Sequence, residues 1–423
     1  MRIGAYYNCV VQRHSVTIAQ LIGKTIMQPS LVLQDDQEHL PTLLATDAQE
    51  LSYQLQQHQA KLFPPQSQKT MRMFSPAEAA AFIGIGEGYL RQIAAEGHGP
   101  DPLSNGRRLY TADDMDRIRR VLDERNGTPK YVPCRRGSEK LQIISVMNFK
   151  GGSGKTTTAA HLAQYLALRG YRVLAVDLDP QASLSALFGH QPELDVGEGE
   201  TLYGAIRYDE PRPIADIVRS TYTPNLHLIP GNLELMEFEH ETPRVMAAGR
   251  AETMFFARIG EVLTEIENFY DVVVIDCPPQ LGFLTMSALC AATSILITVH
   301  PQMLDVMSMS QFLTMTSELM TVVERAGGRT SYDWMRYLVT RFEPNDGPQS
   351  QMTGFMKAIF GNRMLHNAMV KSTAVADAGV TKQTLYEVER AQFTRGTYDR
   401  ALDSLNLVNS EIETHIRSTW GRK

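Results

Sequence analysis

The period of the hydrophobic positions changes near residue 141. Beyond that point apolar residues gather in short runs: Ile143–Met147, Val173–Val176, Leu226–Ile229, Val272–Ile275, Ile295–Val299 and Tyr337–Val339. Helical segments such as Ala159–Leu168 separate them. Continuous apolar runs suit strands buried on both faces. Their alternation with helices predicts an α/β fold over residues 141–423, with a doubly wound, mostly parallel sheet.

Upstream the apolar period is helical. Ile18, Leu21 and Ile22, then Leu40, Leu43 and Leu44, then Leu51, Leu55 and Leu62 predict a polar, all-α arm over residues 1–65. A linker is expected at Phe63-Pro64-Pro65-Gln66-Ser67-Gln68, and another over 126–137. Between them, Ser75, Pro76 and Glu78 form a capping-box helix start. A turn with Gly84 and Gly86 leads to a second helix that Gly97 ends. Two short helices joined by a tight turn predict a helix-turn-helix over residues 70–128, its second helix suited to a DNA major groove. Asn105-Gly106-Arg107-Arg108-Leu109-Tyr110 then reads as a basic wing, and Thr111 starts a further helix.

Composition is that of a globular chain, with 43% hydrophobic and 21% charged residues in 423. The formal net charge of -6 argues, by itself, against nucleic acid as a partner. Its distribution reverses that inference. Residues 102–140 carry 10 Lys/Arg against 6 Asp/Glu, and residues 350–423 carry 10 against 7. A local basic patch binds phosphate whatever the total, because salt screens charge beyond about 10 Å. Cys9, Cys134, Cys277 and Cys290 show no metal-ligand spacing, which favours a reduced, cytoplasmic setting. Residues 1–30 lack a signal-peptide core, and no run reaches the ~18 apolar residues of a membrane span.

The densest chemistry is Lys150-Gly151-Gly152-Ser153-Gly154-Lys155-Thr156-Thr157, between a predicted strand and a predicted helix. Glycines there let backbone N–H groups surround phosphate oxygens. Lys155 supplies charge, the Thr156 hydroxyl suits Mg2+, and the helix N-terminus adds a favourable dipole. Asp177 and Asp179 follow at the end of a predicted strand, and Asp276 ends the run Val272–Ile275, where open α/β sheets place ligands. Such an acid can hold Mg2+ through water. Cys277 beside it reads as a packed thiol.

The extra Lys150 makes this loop resemble the deviant Walker A of the ParA/MinD family of ATPases. With the preceding helix-turn-helix, residues 70–423 resemble the larger ParA-type plasmid-partition ATPases, most closely the RepA partition proteins of repABC plasmids. The resemblance implies ATP and Mg2+ as cofactors and a nucleotide-sandwich homodimer in which Lys150 reaches the partner's phosphates. It implies that Lys150, Lys155 and Asp179 act in hydrolysis, with Asp179 orienting water. Thr156, Asp177 and Asp276 would serve the metal or the switch region, and Pro301 would lie near the base. It further implies nucleoid-associated, non-specific DNA binding, hydrolysis stimulated by a ParB-like centromere-binding partner, and repression of the protein's own operon. Tyr89, Arg91, Arg107, Arg108 and Tyr110 are then candidate operator contacts. Lys371 is a candidate for non-specific DNA, with Arg341, Arg363 and Lys382 behind it, and the arm 1–65 a candidate dimerisation element.

Two alternatives stay open. One is a MinD-type membrane-cycling ATPase, for which the tail face Ile412, Ile416 and Trp420 is thin and carries acids. The other is a repressor whose operator binding is gated by nucleotide.

Overall fold

The computed structural model describes residues 39–62, 69–249 and 253–422. They fall into two units, Met1–Ser67 and Gln68–Lys423. In the first, one helix, α1 (Leu40–Leu62), is described, and its Leu40, Leu43, Leu44 and Leu51 are exposed. The predicted helix around Ile18, Leu21 and Ile22 lies outside the described residues.

The second unit opens with three helices, α2 (Pro76–Ile83), α3 (Glu87–Ile93) and α4 (Ala112–Asn126). Both predicted caps form. Ser75 Oγ accepts from Glu78 N, and Ser75 N donates to the Glu78 carboxylate at 2.9 Å. Thr111 and Asp114 repeat that reciprocal pair on α4. The segment between α3 and α4 contains no β-hairpin. A tight turn, with Leu103 N donating to Arg107 O at 2.7 Å, stands where a wing was expected, and one bridge joins Phe74 to Tyr110.

The sheet follows. In chain order its elements are β1 (Gln142–Met147), α5 (Lys155–Arg169), β2 (Val173–Asp177), α6 (Ser183–Leu187), β3 (Arg219–Ser220) and β4 (Leu226–Ile229). Then come β5 (Val272–Asp276), α7 (Phe283–Ala291), β6 (Ser294–Val299), α8 (Met303–Arg325), β7 (Trp334–Val339), α9 (Gly347–Phe360) and α10 (Arg395–Thr419). The strand order is β3-β4-β2-β5-β1-β6-β7, parallel except for the β3–β4 pair. All six predicted runs are strands.

Residue alternation divides two cores. Ile144, Val146, Val173, Ala175, Val272 and Val274 face one side, with α5 and α10; Ile143, Leu174, Val176, Val273 and Ile275 face the other. Burial on both faces is why these strands read as continuous apolar runs. The first core also takes in Phe74, Leu90, Ile93, Ile118 and Leu122, so the N-terminal helices share it with the sheet. Buried Arg119 donates to the carbonyls of Phe82 and Leu168, and Arg169, the last residue of α5, donates to Ala81 O and Phe82 O. The helix that begins at the phosphate loop therefore ends on the carbonyls that close α2.

Candidate functional site

β1 is central, and the chain leaves it toward β2 on one side and reaches β6 and β7 on the other. This topological switch is where α/β sheets open a crevice. The C-terminal ends of β1, β2, β5, β6 and β7 bring together loop 148–154, Asp177, Asp276, His300 and Thr340.

The loop is held from beneath. Asn148 Nδ2 donates to Thr298 O at 2.6 Å and its Oδ1 accepts from Lys150 N at 3.0 Å. Thr340 Oγ1 donates to Ser153 O at 2.7 Å, and Thr298 Oγ1 to Ser153 Oγ at 3.1 Å. Gly154 has φ 85°, and a Cβ there would lie 3.3 Å from the Thr340 side chain, so backbone conformation and space both call for glycine. The outer wall is a polar recess of about 220 Å3 bordered by Lys150, Gly151, Gly152, His300, Gln302 and Arg341. Pro301 is buried beside it at the end of β6, and Thr157 is half-buried on the first turn of α5.

Lys155 is buried and donates to Lys150 O at 3.3 Å. Burial lowers its pKa, and the charges of Asp276 and Asp179 oppose that shift. Asp276 is completely buried, and neither carboxylate oxygen has a hydrogen-bond partner of normal geometry among the described residues. Burial first, then the charge of Asp177, raises its pKa well above the ordinary value; the Thr156 hydroxyl and Lys155 oppose the rise without offsetting it. Asp276 and Asp177 are paired across β5 and β2.

Asp177 is differently placed. Its Oδ2 accepts from Ser185 N at 2.8 Å and Ser185 Oγ at 2.7 Å, and its Oδ1 from Asp179 N at 3.2 Å. Burial still raises its pKa to about 7. These bonds occupy the carboxylate within its own loop, so Asp177 shapes the turn that carries Asp179 and is not presented as an open metal ligand. Asp179 is half-buried and accepts from Gln181 N at 3.0 Å. A buried acid with two unpartnered oxygens next to a threonine hydroxyl is a hard-oxygen donor set that fits Mg2+, which takes few protein carboxylates and completes its shell with phosphate and water. Among the described residues no group of three His, Cys, Asp or Glu forms a metal cluster.

Ser185 and Gly231 escaped the sequence reading. Gly231 N donates to Ser185 Oγ at 2.9 Å, and a Cβ on Gly231 would lie 3.0 Å from Asp177 O and 3.1 Å from Asp179 O. No local pattern marks them, because the contact joins the end of β4 to the loop after β2.

Cys277 is fully buried and its thiol is pushed up to about 12, which agrees with a packed, unreactive side chain.

The proposed DNA-contact residues divide. Tyr89 on α3 is 38% exposed, Arg91 is exposed and paired with Glu87, and Arg107 is exposed on the turn. Arg108 is half-buried, its guanidinium on Pro100 O. Tyr110 corrects the expectation: it is 1% exposed and exchanges backbone hydrogen bonds with Phe74, so it is a core residue without a face for DNA. Lys371 is exposed and paired with Glu343 at 2.9 Å. Arg341 is also relocated. It sits at φ 52° and donates to Gly152 O at 3.1 Å, so it borders the phosphate loop. The carbonyl of Lys382 accepts from the Lys69 ammonium, and Arg363 lies over the Phe360 ring.

A glycine-rich loop between strand and helix, a buried lysine and a strand-end acid at a sheet switch point define a P-loop nucleotide-binding protein. An AAA domain model matches residues 141–326. Over 392 residues the chain is 62% identical to the Rhizobium rhizogenes protein named "Putative replication protein A", spanning 90% of this chain and 96% of that one. It is 28% identical to Protein SopA of Escherichia coli (strain K12) over 368 residues, 84% and 92% of the two chains. A solved structure called "Partition Protein" shares the fold, with a TM-score of 0.58 at 15% identity over 91% of this chain and 100% of that one. The chain belongs to the ParA-type plasmid-partition ATPases, in the group of the replication protein A chains.

No helix among the described residues is long and apolar enough to cross a membrane.

Proposed function

We propose that this protein hydrolyses ATP with Mg2+ in the service of DNA partition, and that the observation carrying this reading is Asp276. A fully buried carboxylate with both oxygens unpartnered costs several kcal/mol unless a cation or its water meets it. Lys155, Thr156 and the loop amides border that position, as the charge of a nucleotide triphosphate requires.

In this reading Lys155 and the amides of residues 151–156 bind and orient the phosphates. Thr156 and Asp276 hold the metal, Asp276 directly or through water. Mg2+ supplies neutralisation of the charge that develops on the transferred phosphoryl group. Asp179 orients the attacking water, and Asp177, locked by Ser185, keeps the Asp179 turn in place. Lys150 reaches the nucleotide of a second copy, so the active form is a homodimer. The helix-turn-helix binds operator DNA through Arg91 and Arg107, with Tyr89 beside them. Lys371 serves non-specific DNA, and a ParB-like partner stimulates turnover. Localisation on the nucleoid in the cytoplasm follows from those contacts. The division into an arm (1–65), a helix-turn-helix (70–128) and an ATPase (141–423) belongs to the same reading.

The test is phosphate release with the wild type, Lys155→Ala and Asp179→Asn, with and without DNA. Both variants should lose turnover by at least about a hundredfold, since positioned electrostatic groups supply about that much of the rate. Turnover that survives both single changes would sink the site assignment.

A further inference from the structure

Lys150 is the lysine the loop turns outward, and it already has a partner in its own chain. Its ammonium is ion-paired with Asp305; the Lys150 side chain is 45% exposed and that of Asp305 8%. Asp305 is the third residue of α8, and its N–H donates to Gln302 O at 3.0 Å, so the helix start fixes where the carboxylate stands. Its other oxygen meets His300 Nδ1 at 3.2 Å. Burial, reinforced by Arg341 and Lys150, holds His300 below its ordinary pKa, which favours the neutral imidazole. Near the start of the helix, the dipole also favours the ionised carboxylate.

The same lysine therefore has two possible anionic partners: Asp305 in its own subunit and, under the reading above, phosphate in a second copy. It cannot satisfy both, because an ammonium held on a carboxylate must leave it to reach across an interface. We propose that Asp305 is a positioning residue that stores Lys150 on its own subunit, and that breaking this pair is a step in forming the nucleotide-bound dimer. This rests on the ATP-dependent dimer of the preceding section. The pair is weak enough to serve: one partner is nearly half exposed, and such ion pairs contribute little. Losing it should tighten the dimer by roughly three- to tenfold, within what a partly screened pair can supply.

Two measurements on the full chain test this. The first needs no dimer: acylation of lysines by an N-hydroxysuccinimide ester in nucleotide-free protein, followed by peptide mass spectrometry. Asp305→Asn should raise the Lys150 rate roughly three- to tenfold while Lys140 and Lys357, both exposed, stay unchanged, and Asp305→Glu should restore the slow rate. Equal Lys150 rates in wild type and Asp305→Asn would overturn the proposal. The second is sedimentation with a non-hydrolysable ATP analogue, in which Asp305→Asn should dimerise at three- to tenfold lower protein concentration. A wild type that dimerises alongside an unchanged Asp305→Asn would remove the stored lysine and leave the partition reading intact. If neither dimerises, both readings fall together.

Discussion

Replacing Asp276 by Asn separates stability from function in a direction that is easy to mistake. Asp276 is fully buried with neither oxygen in a hydrogen bond of normal geometry among the described residues, and its pKa is raised, chiefly by burial. A carboxyl whose folded pKa lies above the unfolded value, near 3.9, stabilises the fold while protonated. That contribution is complete below the unfolded pKa and is lost as pH climbs through the folded one. Asp177, raised to about 7, acts in the same direction. The nucleotide-free protein should therefore weaken as pH rises from about 4 through about 7. Asn keeps the shape of the side chain and removes the charge. An unpartnered charge costs more than an unpartnered amide, by about 3 kcal/mol. Spread over a unit of about 350 residues, this corresponds to roughly 4 °C in melting temperature, from an unfolding entropy of about 2.1 cal/mol/K per residue. Scanning fluorimetry without nucleotide should show Asp276→Asn melting above wild type at pH 8, with the gap closing toward pH 5. Adding Mg2+ to nucleotide should raise the wild-type melting temperature further and leave the variant where nucleotide alone puts it. A variant that melts below wild type at pH 8, or a gap that does not shrink on acidification, would refute the idea that ionising the buried Asp276 carboxyl costs the fold stability.

Other outcomes follow from the same geometry. Gly154→Ala forces a side chain into φ 85° and against Thr340; with about 1–2 kcal/mol of backbone strain alone, nucleotide affinity should fall at least tenfold in a fluorescent-analogue titration. Arg107→Ala should weaken operator binding and lower the salt slope by about 1, as loss of one phosphate contact does; an unchanged slope would remove Arg107 from the interface. Tyr110→Phe should leave DNA affinity untouched, because the ring is buried, whereas Tyr110→Ala should cost about 3–5 kcal/mol in denaturant unfolding.

The parallel sheet was legible because strands covered on both faces must be apolar at every position, and no helix needs that pattern over so short a span. The phosphate loop was legible for a related reason: its chemistry is local, with glycines, lysine and threonine within eight residues of each other. The caps at Ser75 and Thr111 are equally local, each closing within three residues. Tyr110 shows where locality fails. A tyrosine after two arginines looks like a surface contact, but its backbone pairs with Phe74 thirty-six positions away, and that pairing turns the ring into the core. Arg341 reads as one more surface cation, yet the parallel β6–β7 pairing carries it to the loop's glycines.

The sequence by itself determined which residues could bind phosphate and which runs must be strands, because backbone sterics and burial act within a few positions. Tertiary structure alone decided what each acid does. Asp177 and Asp276 look interchangeable at two strand ends. Ser185, itself held by Gly231 N from the end of β4, occupies the first, while neither oxygen of the second has a hydrogen-bond partner of normal geometry among the described residues. The same is true of Lys150, whose place at the start of the phosphate loop was readable from the sequence, but whose ion-pair partner, Asp305, depends on where β6 hands the chain to α8.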